Sequence, residues 1–438
     1  MSLFRPSLES SPSAASAKAG VRRTSEILGE AIMDSVSSVR DSLPEQHRAH
    51  FETLRQEIID FTKAHGISRE SLAMPDLLRE VTCKLSTSDL ERLALLLERF
   101  EYLLKNREPK KEEIDLAKAI EYAEEHYHLR EQYDFQVELL EQVGILKEGA
   151  ITGIDGHEYP VPTLEQIASR LFERRGELST KHDQGFTKLL LVPFGMSLDA
   201  LQETLKQFLL KHKKKNLSFD LDTNEPIWLC EDYQGADIGD SPNLVYEPQS
   251  FTKEGHGRKT KAQILEKQSK GQWIPAPVGV SGEKGLGTPG WTVHLLQPSD
   301  PSDPYSPGFA PIPKEGQRTS QGDLVPRPPL EAGKTPNEYL SILQNAQGDK
   351  DSPYHGETGM TPEDWIMAFM IHLSETGKPM DDWENGTESR SYLTGAFFRY
   401  SLGVSFAYWH LDSRQARLSW HGPRGRVMGI GLRSSVMV

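Results

Sequence analysis

Cysteine is nearly absent: Cys83 and Cys230 are the only two among 438 residues. Two isolated cysteines cannot build a disulfide framework or a thiolate metal site, so they are expected as free buried thiols in a reducing compartment. Long apolar runs are missing too. No stretch approaches the roughly 18 residues of a membrane span. The first residues, MSLFRPSLESSPSAASAKAG, lack the apolar segment of about 7–15 residues that a signal peptide needs. A cytoplasmic location is the expectation. Glycine has no collagen-like period, the 28 prolines and 35 glycines interrupt any continuous coiled coil, and no solenoid repeat is present. Catalytic signatures are equally scarce: there is no P-loop lysine, no H-E-x-x-H and no G-x-S-x-G. No enzymatic activity and no cofactor are expected.

What is present is unevenly charged. The net charge is -14, yet residues 391–438 carry six arginines and a single acid, Asp412. The same segment holds eight aromatics: Tyr392, Phe397, Phe398, Tyr400, Phe406, Tyr408, Trp409 and Trp420. Arginine and aromatic side chains are enriched at protein-binding hot spots and also serve single-stranded nucleic-acid grooves. A folded core uses aromatic rings as well, so composition alone leaves these uses open.

Along the chain, residues 1–25 are Ser/Ala/Pro-rich and expected to be disordered. Residues 26–148 read as helical. Ser88-Asp89-Leu90-Glu91 forms a capping-box pattern before a stripe of Leu90, Leu93, Ala94, Leu97, Phe100 and Leu104. A second helix is predicted after Pro109, with Ile114, Ala117, Ile120 and Ala123 on one face, and a third over Glu131–Val143. Together they suggest an antiparallel bundle or hairpin for oligomerisation or docking. Residues 149–215 suggest a small α/β unit: an Asp155-Gly156 turn, a capping box from Thr163, a strand over Lys188–Val192, and a helix Leu198–Lys211 capped by Ser197. The lysines that follow, through Lys215, suit a helix C-terminus. From residue 216 to 438, strands are predicted near Ile227–Cys230, Trp291–Leu296 and Gly403–Trp409. Helices are predicted to open at Thr335-Pro336 and Thr361-Pro362, the latter with Trp365, Phe369 and Leu373 on one face and Gly377 as its C-cap.

Three patterns are weighed and set aside. Gly285-Leu286-Gly287-Thr288-Pro289-Gly290 matches G-x-G-x-x-G, but a strand rather than a helix is predicted to follow it. Glu124, Glu125, His126 and His128 lie close together, but histidines two apart on a helix point in different directions, so no metal is expected. Asp381-Asp382 shows no partner acid or base in the sequence.

The C-terminal stretch GVSFAYWHLDSRQARLSWHGPRGRVMGIGLRSSVMV resembles the end of the C-type-lectin-fold variable proteins of bacterial and phage diversity-generating retroelements. The segments PNEYLSILQ, GMTPEDWIMAFMIHLSETGKPMDDW and LTGAFF are similar to a bacterial branch of that family. The likeness extends back through TKLLLVPFGMSLDAL and ITGIDGHEYPVPTLEQI, over most of residues 150–438. The order of these motifs carries more weight than any one of them.

The resemblance, added to the helical and strand patterns above, implies an α+β chain. An N-terminal helical bundle or hairpin is followed by a small α/β unit and, over 216–438, a C-type-lectin-like domain with short helices, irregular loops and a small mixed sheet. It further implies a fixed scaffold with a variable region at about 404–430, rewritten by a reverse transcriptase that errs at template adenines. Ala407, Trp409, Arg414, Gln415, Ala416, Leu418, Pro423, Gly431, Arg433, Ser434 and Val436 then read as framework. Tyr408, His410, Leu411, Asp412, Ser413, Arg417, Ser419, Trp420, His421, Arg424, Arg426 and Met428 read as the variable, ligand-contacting set. Independently of the family, that set is the mixture of rigid aromatics and adaptable polar groups found in paratopes.

The expected partner is a macromolecular ligand, a protein. Formylglycine-generating enzymes share the fold but rely on cysteines that this tail lacks. Gln297-Pro298-Ser299 does not complete a calcium-lectin motif. Nucleic-acid binding through the basic tail is the alternative, disfavoured by the acidic body. An enzyme with an unrecognised site between the helical part and residues 216–400 is a third possibility.

Overall fold

The computed structural model describes residues 40–41, 43–68, 85, 87–107, 115–257, 259–270, 288–316, 327–328, 330–382 and 389–438. The predicted disorder of 1–25, Cys83, Ile114, Gly285–Gly287 and the side chains of Ser88 and Leu90 lie outside that set. The described residues form a mixed α+β protein with ten α-helices and several small sheets. None of these helices is long and apolar enough to cross a membrane.

The chain divides into two compact units near residue 113. In the first, α1 (Glu45–Ala64) and α2 (Thr87–Asn106) place apolar residues at helical spacing on facing sides. Phe51, Leu54, Ile58 and Phe61 meet Leu93, Leu97, Phe100 and Leu103 in one buried cluster. The Phe51 and Phe100 rings stack at 5.3 Å.

The second unit begins with α3 (Leu116–Tyr127) and α4 (Leu129–Gln142), joined at His128 in a left-handed turn, φ 48°. The predicted helical region therefore spans both units. Its second helix is rotated from expectation: Ala119, Ala123 and Tyr127 are buried whereas Ala117 is exposed. Alanine suits either face and carries little phase information. The hairpin β1 (Ala150–Thr152) and β2 (Glu158–Pro160) turns at the expected Asp155-Gly156. Next come α5 (Leu164–Glu173), α6 (Arg175–Asp183) and β3 (Lys188–Val192). Thr163 and Gln166 cap the start of α5 reciprocally.

Strand β3 is a sheet edge, and α4 closes it. Gln136 donates to the Leu189 carbonyl at 2.7 Å and accepts from the Leu191 amide at 2.8 Å. Gln132, one turn earlier, accepts from the Leu189 amide at 2.7 Å. Two glutamines thus satisfy backbone groups that an open edge would leave exposed.

After β3 come α7 (Leu198–Lys215), β4 (Ile227–Leu229), β5 (Leu244–Tyr246), α8 (Lys261–Ser269), β6 (Thr292–Leu296), α9 (Pro336–Gln347), β7 (Glu357–Gly359) and α10 (Pro362–Thr376). The chain ends with β8 (Arg390–Tyr392), β9 (Ala396–Phe398), β10 (Val404–His410), β11 (Gln415–His421), β12 (Ile430–Leu432) and β13 (Ser434–Met437). Helix α7 includes the lysine run. Lys213 donates to the Leu217 and Phe219 carbonyls at 2.9 and 2.6 Å, so this lysine closes the helix end.

Four strands pair in the order β3-β6-β13-β7, five in the order β12-β8-β10-β11-β4, and β5 pairs with β9. Helix α10 lies at the centre. The sequence pattern gave it one apolar face, but every residue from Pro362 to Leu373 is buried. Its run WIMAFMI is apolar on all sides, the signature of a helix packed all round.

The core also contains buried ions, each with a partner. Lys261 on α8 lies 2.5 Å from Asp237 and 2.8 Å from Glu363, and Tyr246 donates to Glu363 at 2.6 Å. Glu357 receives Arg327 on both oxygens, at 2.7 and 2.6 Å, and Lys181 at 2.7 Å. Burial pushes the Glu357 carboxyl upward, but the two cations outweigh it and hold its pKa near 2.

Candidate functional site: the outer face of the C-terminal sheet

Strands β10 and β11 form an antiparallel hairpin with Tyr408 opposite Arg417 and Ala407 opposite Leu418. Alternation therefore sorts their side chains onto two faces. On the core face, Ala407, Trp409, Ala416 and Leu418 join the main hydrophobic cluster. Trp409 packs against Phe219 at 5.3 Å and Phe369 at 6.1 Å. The outer face carries Val404, Phe406, Tyr408, Arg417, Ser419 and His421.

That outer face has a covered half and an open half. Val404, Phe406 and Tyr408 join Tyr392, Ile430 and Leu432 beneath Tyr339, Leu340 and Leu343 of α9. Arg417, Ser419 and His421 on β11 are only half-buried. Parallel pairing of β11 with β4 puts Trp228 beside Arg417.

Burial largely separates the two expected residue sets. Ala407, Trp409, Gln415, Ala416, Leu418, Gly431, Arg433, Ser434 and Val436 are all buried. Leu411, Asp412, Arg424, Arg426 and Met428 are exposed, and His410, Ser413, Arg417, Ser419, Trp420 and His421 are intermediate. Leu411–Ser413 form the tip of the β10–β11 hairpin; Arg424, Arg426 and Met428 lie on the loop into β12.

Four positions depart from that division. Tyr408, expected in the ligand-contacting set, is 8% exposed, with its ring stacked on Phe406 at 5.9 Å and the Arg390 guanidinium 5.4 Å away. Trp420 pairs with Ser405, which places it toward the core, and it packs on the main cluster. An added Cβ at Gly403 would lie 2.6 Å from its ring. Arg414, expected as framework, is exposed. Its role is in the backbone: it takes the left-handed position of the turn, φ 53°, and its carbonyl accepts the Asp222 amide at 2.9 Å. Pro423 is half-exposed, and its carbonyl accepts the Asn337 amide at 3.1 Å.

Framework contacts fix the sheet. Arg433 donates to Asp381 at 2.7 Å and to the Ala310 carbonyl, and Trp365 Nε1 donates to the other Asp381 oxygen at 2.8 Å. The Asp381 carbonyl accepts the Trp409 amide at 3.2 Å, so this network reaches the back of β10. Asp381 thus has the partner that the sequence did not reveal, an arginine 52 residues away.

Three of the tail's six arginines are paired with acids. Arg414 pairs with Asp220 at 3.4 Å, Arg426 with Glu338 at 3.3 Å, and Arg433 with Asp381. Arg399 bonds Ser241 and the Tyr400 hydroxyl. Such pairing lowers the field that a phosphate backbone would meet.

Other polar groups also serve structural roles. His126 stacks on Tyr122 at 4.2 Å, and His128 on Tyr305 at 4.0 Å, so the two rings go to different partners. Among the described residues no group of three or more His, Cys, Asp or Glu is placed to hold a metal ion. His294 lies 3.0 Å from Ser435 Oγ and 3.5 Å from Asp364, an order reminiscent of a hydrolytic relay. All three are buried between strands and α10, which leaves no place for a substrate carbonyl beside Ser435. A cavity of about 230 Å³ is lined by Leu296, Gln297, Ile312, Arg327 and Arg433, but both guanidiniums are engaged, with Glu357 and Asp381.

Two neighbours of the outer face fall outside the expected set: Trp228 on β4 and Arg390 on β8. Trp228 is the outward member of Ile227-Trp228-Leu229, a signal present in the alternation but without weight until β4 is placed beside β11. No protein-family model, curated protein sequence or solved structure matches this chain.

Proposed function

We propose that this protein is a non-enzymatic binding protein that presents a diversified C-terminal surface, on a C-type-lectin-like scaffold, to a macromolecular ligand that is itself a protein. The separation of burial within one short segment carries the reading. Nine of the eleven residues expected to stay constant pack into the sheet and core, Arg414 and Pro423 being the exceptions, and nearly all those expected to vary project from a hairpin tip, a strand face and a loop. A surface of this kind can be rewritten cheaply, because exposed substitutions usually change stability by no more than about 0.5 kcal/mol each. Its serines supply the adaptable hydrogen bonding, and its arginines the hot-spot contacts, that paratopes use. Tyr408 and Trp420 then act mainly as support beneath the surface.

The test is a library of the full chain randomised at Leu411, Asp412, Ser413, Arg417, Ser419, His421, Arg424 and Met428. Most members are expected to melt within a few degrees of the parent, and selection against chosen proteins is expected to yield binders. Widespread unfolding across the library would refute the reading. The nucleic-acid alternative predicts binding to single-stranded or duplex DNA or RNA that falls steeply with salt; the paired state of Arg414, Arg426 and Arg433 argues against it.

A further inference from the structure

One position on the outer face combines a cation without a carboxylate partner and an exposed aromatic ring. Trp228 is 36% exposed, and the Arg417 guanidinium lies over its ring at 5.6 Å. Neutral groups hold that guanidinium in place. Its Nε donates to Gln415 Oε1 and its Nη2 to Ser413 Oγ, each at 2.9 Å. Gln415 is buried and anchored in turn, donating to the Glu225 carbonyl at 2.8 Å. Among the described residues no carboxylate pairs with Arg417, in contrast to Arg414, Arg426 and Arg433. A guanidinium has five N–H donors; the two used here leave three for a ligand.

We infer that Trp228 and Arg417 form an anchor site for a protein ligand that presents a carboxylate beside an apolar or aromatic side chain. This rests on the reading of the outer face as a ligand surface. The carboxylate would take the remaining Arg417 donors, a charge-assisted and orientation-specific contact. The apolar neighbour would cover the open part of the indole, and the pair would already be oriented before binding. The two members differ in kind. Arg417 belongs to the segment proposed to vary and sets the preference of this particular sequence. Trp228 comes from β4, 183 residues before Leu411 at the hairpin tip, and stays as a constant aromatic floor whatever stands opposite it.

The test uses the full chain and a displayed library of random dodecapeptides. Peptides selected on the parent are expected to be enriched in Asp or Glu next to Phe, Tyr, Trp or Leu. Their affinity, read by fluorescence anisotropy, should fall about tenfold or more on Arg417→Gln and on Trp228→Ala. Trp228→Phe should retain most of the affinity, and selection on Arg417→Gln should lose the acidic preference. Should Trp228→Ala fail to fold, the Arg417→Gln and Trp228→Phe arms decide the question. Peptides that depend on Leu411, His421 or Arg424 but not on Trp228 and Arg417 would overturn the anchor while leaving the surface reading intact. Peptides indifferent to all these positions, or no enrichment at all, would overturn both.

Discussion

Replacing Arg433 by methionine should be among the most damaging single changes in the C-terminal segment, as its place in the expected framework set and its burial imply. The substitution keeps an unbranched apolar stem and removes the guanidinium, so the loss is mainly electrostatic. Asp381 is fully buried and would keep one donor, Trp365 Nε1 at 2.8 Å, while losing the arginine at 2.7 Å. Removing one partner of a buried ion pair costs about 3–5 kcal/mol, because the other charge stays buried and uncompensated. In a domain stable by about 5–15 kcal/mol that is a large fraction. For a unit of this size it corresponds to a drop in melting temperature of roughly 5–15 °C.

Urea titration read by tryptophan fluorescence isolates the relevant unit, since all seven tryptophans lie beyond residue 113. The partner change Asp381→Asn supplies the control. Asparagine tolerates the left-handed backbone of Asp381, φ 57°, and can still accept from Trp365. In the Arg433→Met background it should restore a good part of the loss by removing the orphaned charge. A single Arg433→Met variant within about 1 kcal/mol of the parent, or a double variant no better than the single, would refute the reasoning.

Three further outcomes are expected. Tyr408→Ala should cost about 3 kcal/mol in the same titration, as for a buried aromatic, whereas Met428→Ala, at a side chain 63% exposed, should stay within about 0.5 kcal/mol. Burial, aided by Arg433 and Lys188, pushes the His372 pKa down to about 3, and its Nδ1 accepts the Phe309 amide at 3.0 Å. An unfolded histidine titrates near 6.5, so below that pH the unfolded chain binds one more proton and stability falls by about 1.4 kcal/mol per unit until pH 3. Between pH 7 and 4.5 the parent should lose roughly 2–3 kcal/mol more than His372→Gln, and equal losses would contradict this. Gly290→Ala should destabilise by about 2–4 kcal/mol from backbone strain and crowding combined, because Gly290 has φ 77° and an added Cβ would lie 2.4 Å from the Tyr159 ring. Thermal melting checks it.

Local signals in the sequence translate well into structure where the physics is local. The reciprocal caps at Thr163, Thr335 and Thr361 all form, and Gly377 closes α10 in the left-handed conformation. Lys188–Val192 is a strand, and another strand follows Gly290 where a dinucleotide site would need a helix. Long-range pairing was not legible. Nothing near Asp381 points to Arg433, and nothing near Lys261 points to Glu363 a hundred residues on. Buried pairs of this kind are written in two distant places and meet only through sheet order. The same holds for α3 and α4: their apolar stripes were read as part of a helical bundle, but Gln132 and Gln136 tie α4 to β3. At the surface, the strand near Gly403–Trp409 was legible, but β11 over Gln415–His421 was not predicted. Alternation could not show that α9 covers Tyr408, or that Trp228 stands beside Arg417.

Sequencing the 3′ end of this gene deeply across a natural population of its source tests the central claim most directly. The account predicts substitutions crowded into codons of about 408–428, concentrated at exposed positions such as Leu411, Ser413, Arg424 and Met428. They should coincide with adenines in a nearby template copy, with Trp409, Ala416, Leu418 and Arg433 unchanged. A tail that is invariant across the population, or variation spread evenly over buried and exposed codons, would contradict it.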